Sequence, residues 1–126
     1  ISVAAVADWK ARKISRTKIK KLNGRTPTLE FDENPDILAW VAAQKNAPFC
    51  VGFAAESENV DANARQKRLK KGVPLMAANR AQDALGADDN AITLFDARGR
   101  HSLGRGAKLE QARKLVAHVA GMLKRR

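Results

Sequence analysis

The amino-acid sequence predicts an α/β domain in three layers, with a partly parallel sheet, crossover helices and a projecting β-hairpin arm. Three observations carry that reading. Apolar runs at 1–7, 49–55 and 73–78 are of the kind buried on both faces of a parallel sheet. Stretches with helix-end signals and helical periodicity fall at 34–45, 59–71 and 107–124. The pair Asn23-Gly24 lies between two strand-like segments, and a type I′ turn needs the positive φ that both residues tolerate.

Taken in order, the run ISVAAVA predicts a first buried strand, ended by Asp8. The hairpin follows, 17–22 paired with 25–31. Its first strand sends Lys18 and Lys20 to one face and Ile19 and Lys21 to the other, so neither face is a clean core face. That pattern fits a solvated edge or arm, since edge strands also carry lysines to block aggregation. Asn34-Pro35-Asp36 reads as a helix start: N-cap, first helical position, and an acid near the positive end of the dipole. The helix would run to about Lys45 with Ile37, Leu38 and Val41 inward. A strand at 49–55, a helix at 59–71 stopped by Gly72, and a strand at 73–78 complete a crossover unit. Beyond a polar loop at 79–90, strands at 91–96 and 100–103 flank a turn at Arg98-Gly99. The closing helix, 107–124, is expected to bury Leu109, Ala112, Val116, Val119 and Leu123.

The 126 residues suffice for one domain, and with no repeat or low-complexity linker a single domain, 1–126, is the simplest partition. A 44% hydrophobic content argues against disorder. The formal charge of +11 points to an anionic partner. The lone Cys50 sits in an apolar run, which fits a packing residue in a reducing, cytoplasmic compartment better than a nucleophile, because neither His101 nor His118 has suggestive neighbours. No segment reaches the roughly 18 apolar residues of a membrane span. The chain starts without methionine, as a piece of a longer protein would.

In parallel sheets ligands gather at the carboxyl ends of the strands. Asp8, the segment 54–58 and Asn79 fall there. No GxGxxG or Walker motif is present. The second basic cluster, ARQKRLKKG, stacks Lys67 and Lys71 four apart on a helix, which costs a few tenths of a kcal/mol unless something anionic relieves them. A solvated helix face remains the alternative.

AVADW, KIKK, NPDI, VGFAAES, ARQKRLKKG, AAN and DDNAITLF occur here in the order and spacing of the phosphopantothenate-cysteine ligase family. The resemblance covers 1 to about 124. That family forms the synthetase half of a bifunctional bacterial coenzyme A biosynthesis protein whose other half is a flavin-dependent decarboxylase. The likeness implies a Rossmann-like fold whose nucleotide-fold start, with the segment that handles phosphopantothenate, precedes Ile1. It also implies that the 126 residues make no product alone.

The resemblance further implies a CTP site. Asp8 and the alanine run including Ala4 would line it, Asn34, Pro35, Asp36, Ile37 and Phe53 would hold the cytosine nucleotide, and Lys67 and Lys71 its phosphates. Lys18 matches the lysine tied to catalysis, with Lys20, Lys21 and Asn79 as possible further site residues. The implied reaction joins 4′-phosphopantothenate to L-cysteine through an acyl cytidylate, with Mg²⁺, no flavin in this part, and a homodimer formed through the hairpin arm. Arg80 replaces the aspartate common after AAN, and Ala84-Leu85 replaces a glycine-phenylalanine pair. Two other classes stay open. A nucleic-acid-binding module would explain the charge, but the chain has no tyrosine and only 5% aromatic residues for stacking on bases. An inactive dimerisation fragment is the second.

Overall fold

The computed structural model describes residues 1–4, 6–21, 24 and 26–125. They form two compact units, Ala4–Asp36 and a larger one made of Ile1–Val3 and Ile37–Arg126.

In the smaller unit β1 (Trp9–Ala11) pairs antiparallel with β2 (Phe31–Glu33), Trp9 opposite Glu33 and Ala11 opposite Phe31. The backbone bonds Arg12 N to Glu30 O and Asn34 N to Asp8 O continue the pairing at both ends. Arg12 clamps the ribbon from one strand, with Nε 2.8 Å from Asp32 Oδ1 and Nη1 3.4 Å from Glu30 Oε2. A ribbon is therefore present, but its strands are 9–11 and 31–33 and not the expected 17–22 and 25–31. Among the described residues 17–21 join no ladder. Leu22, Asn23 and Arg25 of the expected turn lie outside the described residues; Gly24 has φ +72°, the positive value that reading requires there.

The larger unit holds a four-stranded sheet in the order β3-β4-β5-β6, where β3 is Val51–Glu56, β4 Leu75–Arg80, β5 Asp89–Asp96 and β6 Gly99–Ala107. The β3 and β4 strands are parallel, joined by the crossover helix α2 (Val60–Lys71), and the other pairings are antiparallel. A short α1 (Ile37–Ala42) precedes β3, the one-turn α3 (Ala81–Ala84) follows β4, and α4 (Lys108–Leu123) closes the chain.

Alternation along the strands divides the core in two. One face sets Ala54, Met76, Ala78 and Phe95 against Ala64 of α2, with Leu38, Val41 and Ala42 of α1. The other sets Val51, Leu75, Ala77, Ile92 and Leu94 against Leu115 of α4, with Phe53, Leu103, Val119 and Met122. Helices thus cover both faces, which is the expected three-layer, partly parallel architecture. Gly72 stops α2 in the left-handed region (φ +64°), its amide and that of Val73 returning to Leu69 O and Arg68 O. Cys50 is buried among the first set, as its apolar surroundings predicted.

Three expectations are corrected. The run at 1–7 forms no strand among its described residues; Ile1, Val3 and Val6 are exposed, and the bond of Ser2 N to Val51 O is a single contact with the edge of β3. Without a ladder, apolar character alone does not make a strand. Helix α1 begins at Ile37, and the Asn34 amide donates to Ala7 O at 2.8 Å, tying Asn34 to the ribbon. Helix α4 turns a shifted stripe inward: Gln111 and Leu115 are buried, Met122 and the expected Val119 pack against the same core, and Leu109, Ala112, Val116 and Leu123 are exposed. The helix carries two apolar stripes, and the sheet selects one.

Candidate functional site

The carboxyl ends of the parallel strands carry the polar cluster of the larger unit. Glu56, the last residue of β3, points to the α2 side and is mostly buried. Its Oε1 lies 2.6 Å from Lys67 Nζ, while its Oε2 accepts a hydrogen bond of 3.1 Å from Asn63. The ammonium contact is an ion pair without hydrogen-bond alignment, since Oε1 has no directed donor among the described residues. The Asn63 amide also donates to Glu58 O, and the Gln82 amide reaches Ser57 O at 3.4 Å. Asn59, just before α2, holds φ +49°, a left-handed value that asparagine tolerates better than most residues.

Asn79 is buried at the end of β4, next to the exposed Arg80. Its Nδ2 donates to Asn90 Oδ1 at 3.2 Å, and that oxygen also accepts the Ala91 amide. The Asn79 Oδ1 has no partner among the described residues. A buried carbonyl left open at a strand end is suited to a ligand's donor.

Of the residues proposed from sequence, the larger unit places Lys67 and Lys71 one turn apart on α2, Asn79 at the end of β4, and Ile37 at the exposed start of α1. Phe53 is half-buried on the α4 side of the sheet, the face opposite α2, so the sheet separates it from Lys67. In the smaller unit Ala4, Asp8, Lys18, Lys20, Lys21, Pro35 and Asp36 are exposed, and Asn34 is half-buried. The smaller unit holds a cleft of about 450 Å³, lined by Lys13, Ile14, Ile19, Pro27 and Leu29 among others and not by Lys18.

Sequence reasoning missed two features. The first is Glu56 as the partner of Lys67; its signal was a carboxylate at a strand end, in the segment 54–58 already flagged. The second is a cluster on the α4 side of the sheet, made by Asp96, His101 and His118. Asp96 Oδ1 accepts the Arg98 and Gly99 amides at 2.8 and 3.0 Å, which fixes the β5–β6 turn, and lies 3.0 Å from His101 Nε2. His118, on α4, has Nε2 3.9 Å from Asp96 Oδ2. Burial pushes the Asp96 carboxyl up, but the hydrogen bonds from His101 and the turn amides outweigh it and hold the group below the ordinary aspartate range. Burial, with the His101 charge beside it, pushes the His118 imidazole down and favours its neutral form.

Compared with known proteins, residues 1–123 match the DNA/pantothenate metabolism flavoprotein C-terminal domain. The chain belongs to that family. Among relatives in it, the coenzyme A biosynthesis bifunctional protein CoaBC of Vibrio cholerae serotype O1 is 44% identical over 108 residues, 82% of this chain and 27% of that protein. The protein of the same name from Escherichia coli K12 is 45% identical over 101 residues, 75% of this chain and 25% of that protein. This chain thus spans about a quarter of the length of these relatives. A crystal structure of the C-terminal domain of a CoaBC superposes with a TM-score of 0.73 at 26% identity, covering 98% of this chain and 53% of that one. The family resemblance drawn from the seven motifs is therefore correct, and the likeness to that crystal structure agrees with the expected Rossmann-like class.

Proposed function

We propose that this chain is the nucleotide-handling part of a CTP-dependent phosphopantothenate-cysteine ligase acting in coenzyme A biosynthesis. The observation that carries the reading is the match of residues 1–123 to the family, together with relatives named for coenzyme A biosynthesis. In this reading Lys67 and Lys71 hold the nucleotide phosphates, and Asp8, Ala4, Asn34, Pro35, Asp36, Ile37 and Phe53 contribute to nucleotide binding. Lys18 is the catalytic residue, with Lys20, Lys21 and Asn79 in support.

The carboxylate of 4′-phosphopantothenate attacks the α-phosphorus of CTP, forming a C–O–P anhydride and expelling pyrophosphate. The amine of L-cysteine then attacks the acyl carbon, loses a proton, and expels CMP. Charge accumulates on phosphoryl oxygens in the first step, where a fixed ammonium such as Lys18 stabilises the transition state more than the ground state.

Mg²⁺ enters as the complex with CTP. Among the described residues the one group with the spacing of a metal-ligand set is Asp96, His101 and His118. Two imidazoles suit a softer ion than Mg²⁺, which prefers oxygen ligands, so this cluster is not assigned to the nucleotide.

Calorimetric titration with Mg-CTP, Mg-ATP and a short RNA tests the proposal, alongside a pyrophosphate-release assay with CTP, phosphopantothenate and cysteine. CTP should bind more tightly than ATP, and RNA weakly with a steep dependence on salt. Lys18→Gln should preserve CTP affinity while lowering turnover in the full-length protein, and Lys67→Ala should weaken CTP itself. Equal affinity for both nucleotides would leave the +11 charge as the sole attraction and defeat the assignment.

A further inference from the structure

We propose that Asp96, His101 and His118 form a three-ligand site for a divalent first-row transition ion, zinc being the leading candidate. The site lies on the α4 face of the sheet and is independent of the proposed nucleotide chemistry. Each ligand comes from a different element. Asp96 ends β5, His101 sits on β6 opposite Leu94 in the register, and His118 arrives from α4. Leu94 belongs to the core under α4, and alternation places Asp96 and His101 on that same face.

One ligand atom from each residue lies within 4.8 Å of both others. Ligands about 2.1 Å from a tetrahedral ion stand about 3.4 Å apart, so small rotations of the two rings close the site. The ring centroids are 5.1 Å apart with planes tilted by 49°, an aromatic contact that holds the two imidazoles side by side. Asp96 Oδ1 accepts the turn amides and lies 3.0 Å from His101 Nε2, and Oδ2 faces His118. Among the described residues His118 Nε2 is buried without a hydrogen-bond partner, and at 3.9 Å from Oδ2 it is beyond hydrogen-bond reach. An ion between them would satisfy that nitrogen.

Two imidazoles and one carboxylate are a donor set for zinc, with cobalt and nickel as close substitutes. Three protein ligands leave a fourth position open. Next to Asp96 a cavity of about 120 Å³ is lined also by Arg98, Met122 and Arg125, so a water or a small anion has room there.

The test uses the untagged 126-residue chain after chelator treatment. Zinc titrated by calorimetry should bind at one ion per chain, and cobalt should give the visible absorption of a low-symmetry site. His118→Asn and His101→Gln should each weaken zinc by at least about tenfold; a Cys50→Ala control should leave affinity unchanged. Both histidine variants keep the Asp96 turn, and circular dichroism checks their fold. In the parent chain, zinc should shift the imidazole nitrogen resonances of both histidines. No saturable binding up to 100-fold excess zinc, or binding that survives removal of both histidines, would overturn the proposal and leave the cluster as a hydrogen-bonded support for the turn.

Discussion

Glu56 should restrain Lys67 from binding phosphate. The two charges are 2.6 Å apart, with the glutamate side chain 11% exposed and the lysine 48% exposed. Coulomb's law at an effective dielectric of 20 gives a gross attraction of about 6 kcal/mol. Screening of the half-exposed ammonium and the cost of holding the pair reduce the net value to about 1 kcal/mol, near the upper end for surface pairs. A triphosphate that recruits Lys67 must displace or share this partner. Glu56→Gln keeps the shape and the Asn63 contact but removes the competing charge. CTP affinity should therefore rise about fivefold, the equivalent of about 1 kcal/mol, while Lys67→Ala lowers it. Calorimetry on the parent, both single variants and the double variant gives the coupling, and urea unfolding of the same four proteins should give a stability coupling of about 1 kcal/mol. Weaker CTP binding by Glu56→Gln, comparable to Lys67→Ala, would refute the competition and make Glu56 the residue that aims Lys67.

Gly72→Ala should destabilise the chain by about 1 kcal/mol in chemical denaturation, because φ is +64° and an added Cβ would meet no atom of the described residues within 4 Å, leaving the conformational cost alone. Leu115→Ala should cost about 2–4 kcal/mol by the same measurement, since Leu115 is the buried apolar side chain of α4 and shares a core cluster with Val51, Leu75 and Leu94. Asp89 is held below the ordinary aspartate range first by its hydrogen bonds from Arg105, at 2.7 and 2.9 Å. A depressed carboxylate adds stability above its unfolded pKa and loses it as pH falls through the folded value. The parent chain should therefore exceed Asp89→Asn slightly at pH 7, with the gap closing in acid.

Local signals were legible where one element decided the outcome. The apolar runs before Glu56 and before Asn79 became β3 and β4, Gly72 stopped α2, and the β5–β6 turn formed at Ala97-Arg98, one residue before the expected Arg98-Gly99. The hairpin shows where locality fails. In the sequence Asn23-Gly24 is a reversal signal, but the register is chosen by cross-strand partners, and Arg12 finds Asp32 and Glu30 some twenty residues away. Residues 17–21 then fall between the ladder and the turn, and their lysines keep no strand faces.

The histidine cluster and the Lys67 partner were hidden for the same reason, and α4 makes it plain. Counting apolar positions favoured the stripe through Leu109, Ala112, Val116, Val119 and Leu123, yet the helix is rotated so that Gln111 and Leu115 are buried and, of that stripe, Val119 alone packs against the sheet core. That rotation, roughly one residue's 100°, carries His118 from an expected flank to the buried face, 3.9 Å from Asp96 Oδ2. His101 joins them through a β5–β6 register that also contains a shift between Ala91 and Thr93. Neither the helix phase nor the irregular register is encoded near the residues it brings together. The Glu56–Lys67 pair likewise depends on the angle at which α2 crosses β3 and not on the eleven-residue separation in sequence. Binding groups assembled across elements are therefore the part of this chain that needed three dimensions, and the variants at His118 and Glu56 probe that assembly directly.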